Sequence, residues 1–455
     1  MRIIKCYCAR TFLLLNKDRS QQVLQISLPI VGGMISQNIL NLVDAAMVGT
    51  QGSAAIAAVG IAGFINFMAV AFFIGFAAGV QAMVSRRMGE GRQSEAAYPL
   101  NAALLIIGLL ALPTSIILFF LAPDILSLLN NDPELLEEGI PYLQARFAGI
   151  LAIGLNFSYR SYWSAIKQTG YYLRTLLIMH SLNIVLNYAL IFGNFGMPEL
   201  GTLGAGIGTS ISLAMGSIYY HLLATRHTKQ FGYMERLAAW TTIKSIFRIS
   251  FPSSIQQLFF AGGFTALFWI IGQVGTHQLA AANAITNVML VAILPCIALG
   301  IGAATMVGQA LGKQDPNDAY LWGWDVAKMA LIFATSLAAL FFIFTDPIMG
   351  IFLKEQTALE IAHWPFKLSA GIIIIDAMGL VFLNALNGAG YTKPPMYVSL
   401  LSQWFIFLPV AWLLGPYFGF GLLTIWFAYA AYRVLQTGAF IWLWQRRTWA
   451  DAVVD

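Results

Sequence analysis

Apolar residues run along this chain in long, uninterrupted segments separated by short polar stretches. Each segment reaches the ~20 residues that a helix needs to cross a ~30 Å hydrocarbon core. Transmembrane β-strands would instead be ~10-residue segments of alternating polarity, so a β-barrel is excluded. We therefore predict an all-α membrane protein with twelve transmembrane helices. The predicted spans are 24–48, 54–82, 97–121, 140–164, 173–194, 203–225, 246–271, 278–306, 324–345, 361–387, 395–415 and 419–444.

Polar residues interrupt the first span on one side only. Gln37, Asn41 and Asp44 are spaced four and three residues apart, so they share one face of a helix. An aspartate inside a membrane helix costs about 2.5–3.5 kcal/mol on insertion scales, which favours a face turned toward a cavity. Pro29 lies near the predicted start of this helix, where it can bend it.

The chain contains an internal repeat, because residues 26–92 align with 249–315 without a gap. The alignment places Ser27 on Ser250 and Gly79 on Gly302, and it continues to the end of the second helix. The offset spans six predicted helices, so both copies have the same orientation and form parallel repeats, as in alternating-access transporters. A purely structural duplication, as in a channel or scaffold, is the alternative. The predicted divisions are an N-terminal tail at 1–20, lobes at 21–225 and 246–445, a linker at 226–245 and a C-terminal tail at 446–455.

Composition and charge agree with this architecture. Only 10% of the residues are charged and 59% are hydrophobic, whereas soluble domains carry about 25% charged residues. The tails, the even-numbered loops and the adjoining span ends hold 21 Lys and Arg residues, against 3 on the opposite side. The positive-inside rule therefore places both termini in the cytoplasm. The net charge of +5 reflects these basic loops and does not indicate nucleic-acid binding.

The N-terminal tail and the cysteines predict no further feature. Residues 1–20 lack the 7–15-residue apolar core of a signal peptide. The three cysteines, Cys6, Cys8 and Cys296, predict neither a disulfide framework nor a metal site.

Asp376 is the deepest acid, 15 residues into a predicted span. An ionisable residue at the membrane midplane is a functional hypothesis by default, although neighbouring helices could satisfy it. Gln256 and Gln257 lie in the inner half of the seventh span, where they line a cavity or pair with neighbouring helices. We predict a substrate or second ion site from these residues together with Gln37 and Asn41.

Four oxygen-bearing side chains of the first lobe lie at similar depth: Asp44, Asn183, Asn187 and Thr209. Such oxygens suit Na⁺ or a proton relay, and the alternative is simple hydrogen bonding between helices. His180 lies one turn before Asn183, where we favour a hydrogen-bonded packing role over a proton carrier. Arg433 reaches a partner or the inner surface, and the sequence assigns it no role.

These motifs together resemble the multidrug and toxic compound extrusion (MATE) family. The resemblance rests on ISLPI and NLVDAAMVG in the first span, VSRRMGEGR and VGQALGKQD after the second and eighth, and NIVLNYALIFG with GTLGAGIGTS around the fifth and sixth. In the second lobe it rests on FPSSIQQ and IDAMGLVFLNALNGAGYTKPP. It implies a twelve-helix antiporter with a V-shaped cleft, without a cofactor, exporting lipophilic, often cationic, organic compounds in exchange for H⁺ or Na⁺. It also implies a monomer in the bacterial cytoplasmic membrane.

The chain departs from the family at two ion-site positions. The family's first-helix and tenth-helix acids correspond to Asp44 and Asp376. The second acid of the fifth-helix pair is the amide Asn187 here, and the seventh-helix glutamate of another branch is missing. The coupling ion therefore stays open between H⁺ and Na⁺.

Two other classes of protein are alternatives. A flippase for a lipid-linked sugar precursor has a related architecture but needs several basic residues in the cleft to hold a pyrophosphate. An intramembrane aspartyl enzyme also uses two aspartates, but neither Asp44 nor Asp376 lies in a GxGD context. The absence of a GxxxxGK[ST] sequence argues against energy from ATP bound at a P-loop.

Overall fold

The computed structural model describes residues 17–236 and 238–454, and this part of the chain is helical without a β-strand. Twelve helices, α1 to α12, occupy the positions of the twelve predicted spans, which confirms the predicted fold class. Their bounds are α1 Lys17–Gly49, α2 Ser53–Gly89, α3 Tyr98–Leu129, α4 in two parts Pro133–Ala148 and Ile150–Ala165, α5 Thr169–Phe192, α6 Gly201–His227, α7 Trp240–Val274, α8 Thr276–Gly312, α9 Pro316–Ile343, α10 Gln356–Gly388, α11 Lys393–Tyr417 and α12 Leu422–Arg446.

Nine helices of the described chain are long and apolar enough to cross a membrane. The other three are α4, α6 and α12. The two parts of α4 have 16 residues each because the helix is interrupted at Gly149. Glycine, serine and threonine dilute the apolar character of α6, and tyrosine, tryptophan and Arg433 dilute that of α12. A short helix, Thr345–Phe352, follows α9, and α11 contains two π-helical turns, Leu401–Phe407 and Leu413–Tyr417.

Two predicted boundaries differ from the structure. The first helix begins at Lys17 and so includes the last four residues of the predicted tail 1–20; the rest of that tail, with Cys6 and Cys8, lies outside the described residues. The connection between the lobes extends only over 228–239, because α6 and α7 continue past the ends predicted from hydropathy. Its Tyr233 hydroxyl lies 2.6 Å from the Tyr159 hydroxyl, so the connection packs on the first lobe.

Residues of one repeat pack closely against residues of the other across the lobes. The position of Ser27 Oγ leaves no room for a Cβ on Gly302, and Ser250 Oγ does the same to Gly79. Gly89 and Gly312, which are related to each other by the repeat, also lie against each other. Small residues allow helix backbones to approach this closely in membranes. The two lobes therefore meet through a seam, made by α1 and α2 with α7 and α8, that has approximate twofold symmetry.

The seam is tightest at the end of the molecule that carries both described chain ends. Arg19 of α1 forms ion pairs with Asp318 at 2.5 Å and Asp325 at 3.1 Å, both on α9. Gln81 Nε2 donates to the Ile301 carbonyl at 2.8 Å, and Gln309 Nε2 donates to the Ala165 carbonyl at 2.9 Å. We call this the sealed end of the molecule.

The contacts loosen toward the opposite end, which we call the open end. There the ring centroids of Phe64 and Phe268 are 6.4 Å apart, the wider spacing of a tilted aromatic pair. A Cβ built on Gly60 or Gly63 of α2 would meet nothing within 4 Å. The lobes thus enclose space between them that is closed at one end.

The segment that follows α12 crosses the seam at the sealed end. The Arg86 guanidinium donates to the Ala452 carbonyl, and the Arg248 guanidinium donates to the Val453 carbonyl, each at 2.9 Å. Because Arg86 belongs to the first lobe and Arg248 to the second, residues 448–454 connect both.

Pro29 lies inside α1, twelve residues after its start. Proline has no N–H, so the carbonyl four residues earlier loses its helical partner. That carbonyl belongs to Gln25, and it accepts a hydrogen bond from Thr169 Oγ1 of α5 at 3.3 Å. The contact ties the proline position of α1 to the first residue of α5.

Candidate functional site

Asp44 lies five residues before the end of α1, facing α5. Its Oδ1 accepts a hydrogen bond from Asn187 Nδ2 at 2.9 Å. Asn183 and Asn187 are one turn apart on α5, and both side chains are buried. The spacing of the sequence therefore places both amides beside one carboxylate.

Asn183 lies between Asp44 and Thr209 of α6. One end of its amide is 3.1 Å from Asp44 Oδ1, and the other end is 3.2 Å from Thr209 Oγ1. When Asp44 is ionised, the amide nitrogen faces the carboxylate and donates to it; when Asp44 is protonated, the amide oxygen can accept its proton. The four predicted residues thus form one cluster, here called the Asp44 cluster, whose hydrogen bonds depend on the charge of Asp44.

Asn187 Oδ1 is buried and has no hydrogen-bond partner among the described residues. It lies against Gly208 of α6, where a Cβ would overlap it. A buried acceptor without a donor is uncommon and costly, so it marks a position where a cation or a rotated amide could be accommodated. The cluster contains a single carboxylate, and no group of three His, Cys, Asp or Glu residues that could hold a metal ion occurs in the described chain.

Arg146 of α4 also belongs to this region, although no role was predicted for it from the sequence. The structure places it close enough to Asp44 and Tyr142 to interact with both electrostatically. Its Nε is buried and has no hydrogen-bond partner within the described ranges. Counting residues within α4 could have identified it, because Arg146 lies thirteen residues after the helix start.

Gln37 and Asn41 belong to the first lobe and do not line the cavity that contains Asp376. Gln37 Nε2 donates to Asn41 Oδ1 at 3.1 Å, and Gln37 Oε1 is 3.1 Å from His180 Nε2. His180 Nδ1 is 2.7 Å from Ser36 Oγ, so this histidine is hydrogen-bonded between α1 and α5. Gln37 and Asn41 are therefore separated from Asp376 in the structure, because they follow the same face of α1 as Asp44. Their part in a substrate or second ion site stays a prediction.

Asp376 of α10 pairs with Arg433 of α12. Arg433 Nε donates to Asp376 Oδ1 at 2.6 Å, and the two side chains are 12% and 4% exposed. Arg433 Nη1 also donates to Gln436 Oε1 at 2.8 Å, and Gln436 Nε2 donates to Ser402 Oγ at 3.2 Å. The deepest acid of the second lobe therefore has a counter-ion in the structure.

A cavity of about 660 Å³ lies on the second-lobe side of the cleft. Asp376, Arg433, Gln256 and Gln257 all line it. Gln256 Nε2 donates to Ser399 Oγ at 2.7 Å, whereas Gln257 is only partly buried. The Asp44 cluster is not part of the lining, so the predicted site residues form two separate groups, one in each lobe.

Comparison with known proteins assigns the same architecture to this chain. Two stretches, residues 29–189 and 252–413, match the family model described as MatE, and they begin 223 residues apart. The probable multidrug resistance protein NorM of Thermotoga maritima is 27% identical over 415 residues, which are 89% of this chain and 88% of that protein. The protein of the same name from Agrobacterium fabrum is 28% identical over 439 residues, 93% and 94% of the two chains.

A solved structure of similar fold belongs to a MOP superfamily transporter from Pyrococcus furiosus. The TM-score is 0.87, the alignment covers 96% of this chain and 97% of that one, and the sequences are 18% identical. At this identity the likeness concerns the fold.

Proposed function

Since the chain belongs to the MatE family of multidrug transporters, we propose that it is a secondary active exporter that exchanges organic compounds for H⁺ or Na⁺ by alternating access. It acts as a monomer in the bacterial cytoplasmic membrane, with both termini in the cytoplasm and without a cofactor. The separation of the Asp44 cluster from the cavity supports this proposal, because it provides one place for the ion and another for the compound within the same molecule.

With the termini in the cytoplasm, the sealed end faces the cytoplasm and the cavity faces outward. An ion arriving from outside then reaches Asp44, which lies near the open end of α1. Binding there changes the hydrogen bonds to Asn183 and Asn187 and so the packing of α1 on α5. The Pro29 region, where α1 lacks one backbone hydrogen bond, is where the helix can change direction. The ion and the compound favour different states, since a ligand shifts an equilibrium only through its differential affinity.

The charges around Asp44 favour H⁺ over Na⁺ as the coupling ion. Asp44 is the one carboxylate of its cluster, and the Arg146 guanidinium acts on it electrostatically. A metal cation would therefore find one carboxylate, whose attraction the positive charge of Arg146 weakens. A proton needs only the carboxylate, and the amide of Asn183 can turn its oxygen toward the protonated acid.

The test is exchange by purified protein in vesicles under an imposed H⁺ or Na⁺ gradient. Asp44→Asn removes the titratable group while keeping a side chain of the same shape, so we expect uphill transport to stop and some binding of the compound to remain. Asp124→Asn is the matched control, since Asp124 is an exposed acid toward the same end of the membrane. Uphill transport by Asp44→Asn at the wild-type rate would refute the coupling role. Transport that persists without either gradient would refute secondary active export.

A further inference from the structure

The charged residues of the cavity between the lobes indicate which compounds it binds. Its charged lining residues in the described chain are Arg160, Asp376 and Arg433, two cations and one anion. A cavity built to attract organic cations would have the opposite balance. Building on the proposed export function, we propose that the cavity binds amphipathic aromatic compounds that carry a carboxylate, and that Arg160 is the residue that recognises this group.

Asp376 is poorly placed to attract a cationic compound. Its carboxylate already contacts the Arg433 guanidinium at 2.6 Å, and Gln436 holds that guanidinium from the other side. A cationic compound would have to displace Arg433 and leave that charge unpaired in a nearly buried position, which is unfavourable. The pair therefore contributes polarity to the cavity but no net charge.

Arg160 of α4 is the cavity cation that lacks a carboxylate partner among the described residues. Its guanidinium carbon lies 4.3 Å from the centroid of the Phe157 ring, and the Tyr172 hydroxyl lies within hydrogen-bonding reach of one of its five N–H groups. Stacking on a ring covers the face of a guanidinium and leaves its N–H edge available, which suits bidentate binding of a carboxylate. The side chain is only partly buried, so this edge can face a ligand.

The position of Arg160 sets the orientation of the compound. Arg160 is one helical turn before Ser164, whose carbonyl accepts a hydrogen bond from Thr305 Oγ1 at the seam. The guanidinium therefore lies toward the closed end of the cavity. Phe64, Phe67, Phe264 and Phe268 line the part nearer the open end, where they can stack on an aromatic body. The carboxylate enters first and the apolar part follows.

Rhodamine B and its ethyl ester test this inference, because they share a chromophore and differ in the carboxylate. Cells of a host without its own exporters are loaded with either dye, and efflux is followed by fluorescence with the ion gradients intact. We expect the wild-type protein to expel rhodamine B faster than the ester. Arg160→Gln should slow rhodamine B efflux about tenfold, the effect of losing one charge-assisted pair, and change ester efflux less than about twofold. Arg160→Lys should restore part of the difference between the dyes.

Arg226→Gln is the matched control, since it removes the same charge from an exposed position at the sealed end. Binding of both dyes to purified protein without a gradient separates recognition from transport, and rhodamine B affinity should fall selectively in Arg160→Gln. Equal effects on both dyes, or no effect on either, would overturn the role of Arg160. Retention of both dyes by the wild-type protein with intact gradients would overturn the proposed export function and this inference with it.

Discussion

At the scale of single residues, the Asp44 cluster depends on a glycine that the sequence analysis did not select. Gly208 on α6 leaves the space into which Asn187 Oδ1 projects. This position lets the Asn187 nitrogen reach Asp44 at 2.9 Å. The amide orientation, and with it the hydrogen bond to the acid, thus follows from a missing side chain on another helix.

Gly208→Ala should therefore damage coupling without unfolding the protein. The added Cβ would displace Asn187 from Asp44, and we expect ion-driven transport to fall about tenfold, the equivalent of one lost hydrogen bond to a charged group. The measurement is uphill dye transport in vesicles, with expression and thermal stability checked in parallel. Gly60→Ala is the control, because a Cβ there meets nothing within 4 Å. Full transport by Gly208→Ala would show that the position of Asn187 does not matter.

The sequence was sufficient to predict part of this site. Asp44, Asn183, Asn187 and Thr209 could be grouped because helical spacing and distance from the helix ends are readable from one chain. The pairing of Asp376 with Arg433 could not be predicted from the sequence, because it depends on how α10 packs on α12. Arg146 lies inside a predicted span and could have been noticed there, but its electrostatic interaction with Asp44 depends on how the helices pack.

At the scale of elements, α1 shows how a proline is accommodated inside a membrane helix. The Gln25 carbonyl that Pro29 leaves without a backbone partner is bonded by Thr169 Oγ1 at 3.3 Å. A similar arrangement occurs in α3, where the carbonyl of Phe119, four residues before Pro123, accepts a hydrogen bond from Gln144 Nε2 at 3.2 Å. Side chains of neighbouring helices thus replace the missing bonds.

Thr169→Val should remove the hydrogen bond that replaces the one lost at Pro29 in α1. Valine has nearly the same shape but no hydroxyl, so the Gln25 carbonyl loses its donor and the free energy of unfolding should fall by about 1 kcal/mol. Adding Pro29→Ala restores a backbone N–H to that carbonyl, so the double variant should regain most of the loss. Reversible thermal or denaturant unfolding in detergent measures both steps. If the two effects simply add, the Thr169 contact is not the substitute for the backbone bond.

Element boundaries were the least predictable part of the fold. Hydropathy marks the apolar length of a helix, but α1, α7 and α8 continue as helices beyond it, because polar residues also form helix when their carbonyls find partners. The interruption of α4 at Gly149 and the π-helical turns of α11 depend on contacts with other helices, and no local pattern predicted them.

At the scale of the whole molecule, the seam at the sealed end holds the two lobes together. The repeat predicted that Ser27 matches Ser250 and that Gly79 matches Gly302, but not that each serine would lie against the glycine of the other lobe. This crossed arrangement follows from a twofold relation between two copies. It makes the sealed state sensitive to any added side chain on the seam.

Gly312→Ala should weaken the seal. The new Cβ would overlap the Arg86 carbonyl, a backbone atom that cannot rotate away. We expect the population to shift toward the state that is open at this end. A cysteine introduced by Ala304→Cys reports this shift. It should react several-fold faster with a membrane-impermeant thiol reagent applied from the side of the chain ends. The experiment uses a cysteine-free background. Gly371→Ala is the control, because its Cβ has no neighbour within 4 Å. Unchanged reactivity would mean that the seam tolerates the methyl group.

The crossed seam also has a consequence for how the protein is made. Arg19 and its partner Asp318 are 299 residues apart in the chain. At a synthesis rate of about 5–20 residues per second, roughly 15–60 s pass between the emergence of the two residues from the ribosome. During that interval the first lobe lies in the bilayer with half of the seam facing lipid. The glycines leave a smooth helix surface that lipid chains can cover during this interval. The second lobe then displaces the lipid chains when it inserts.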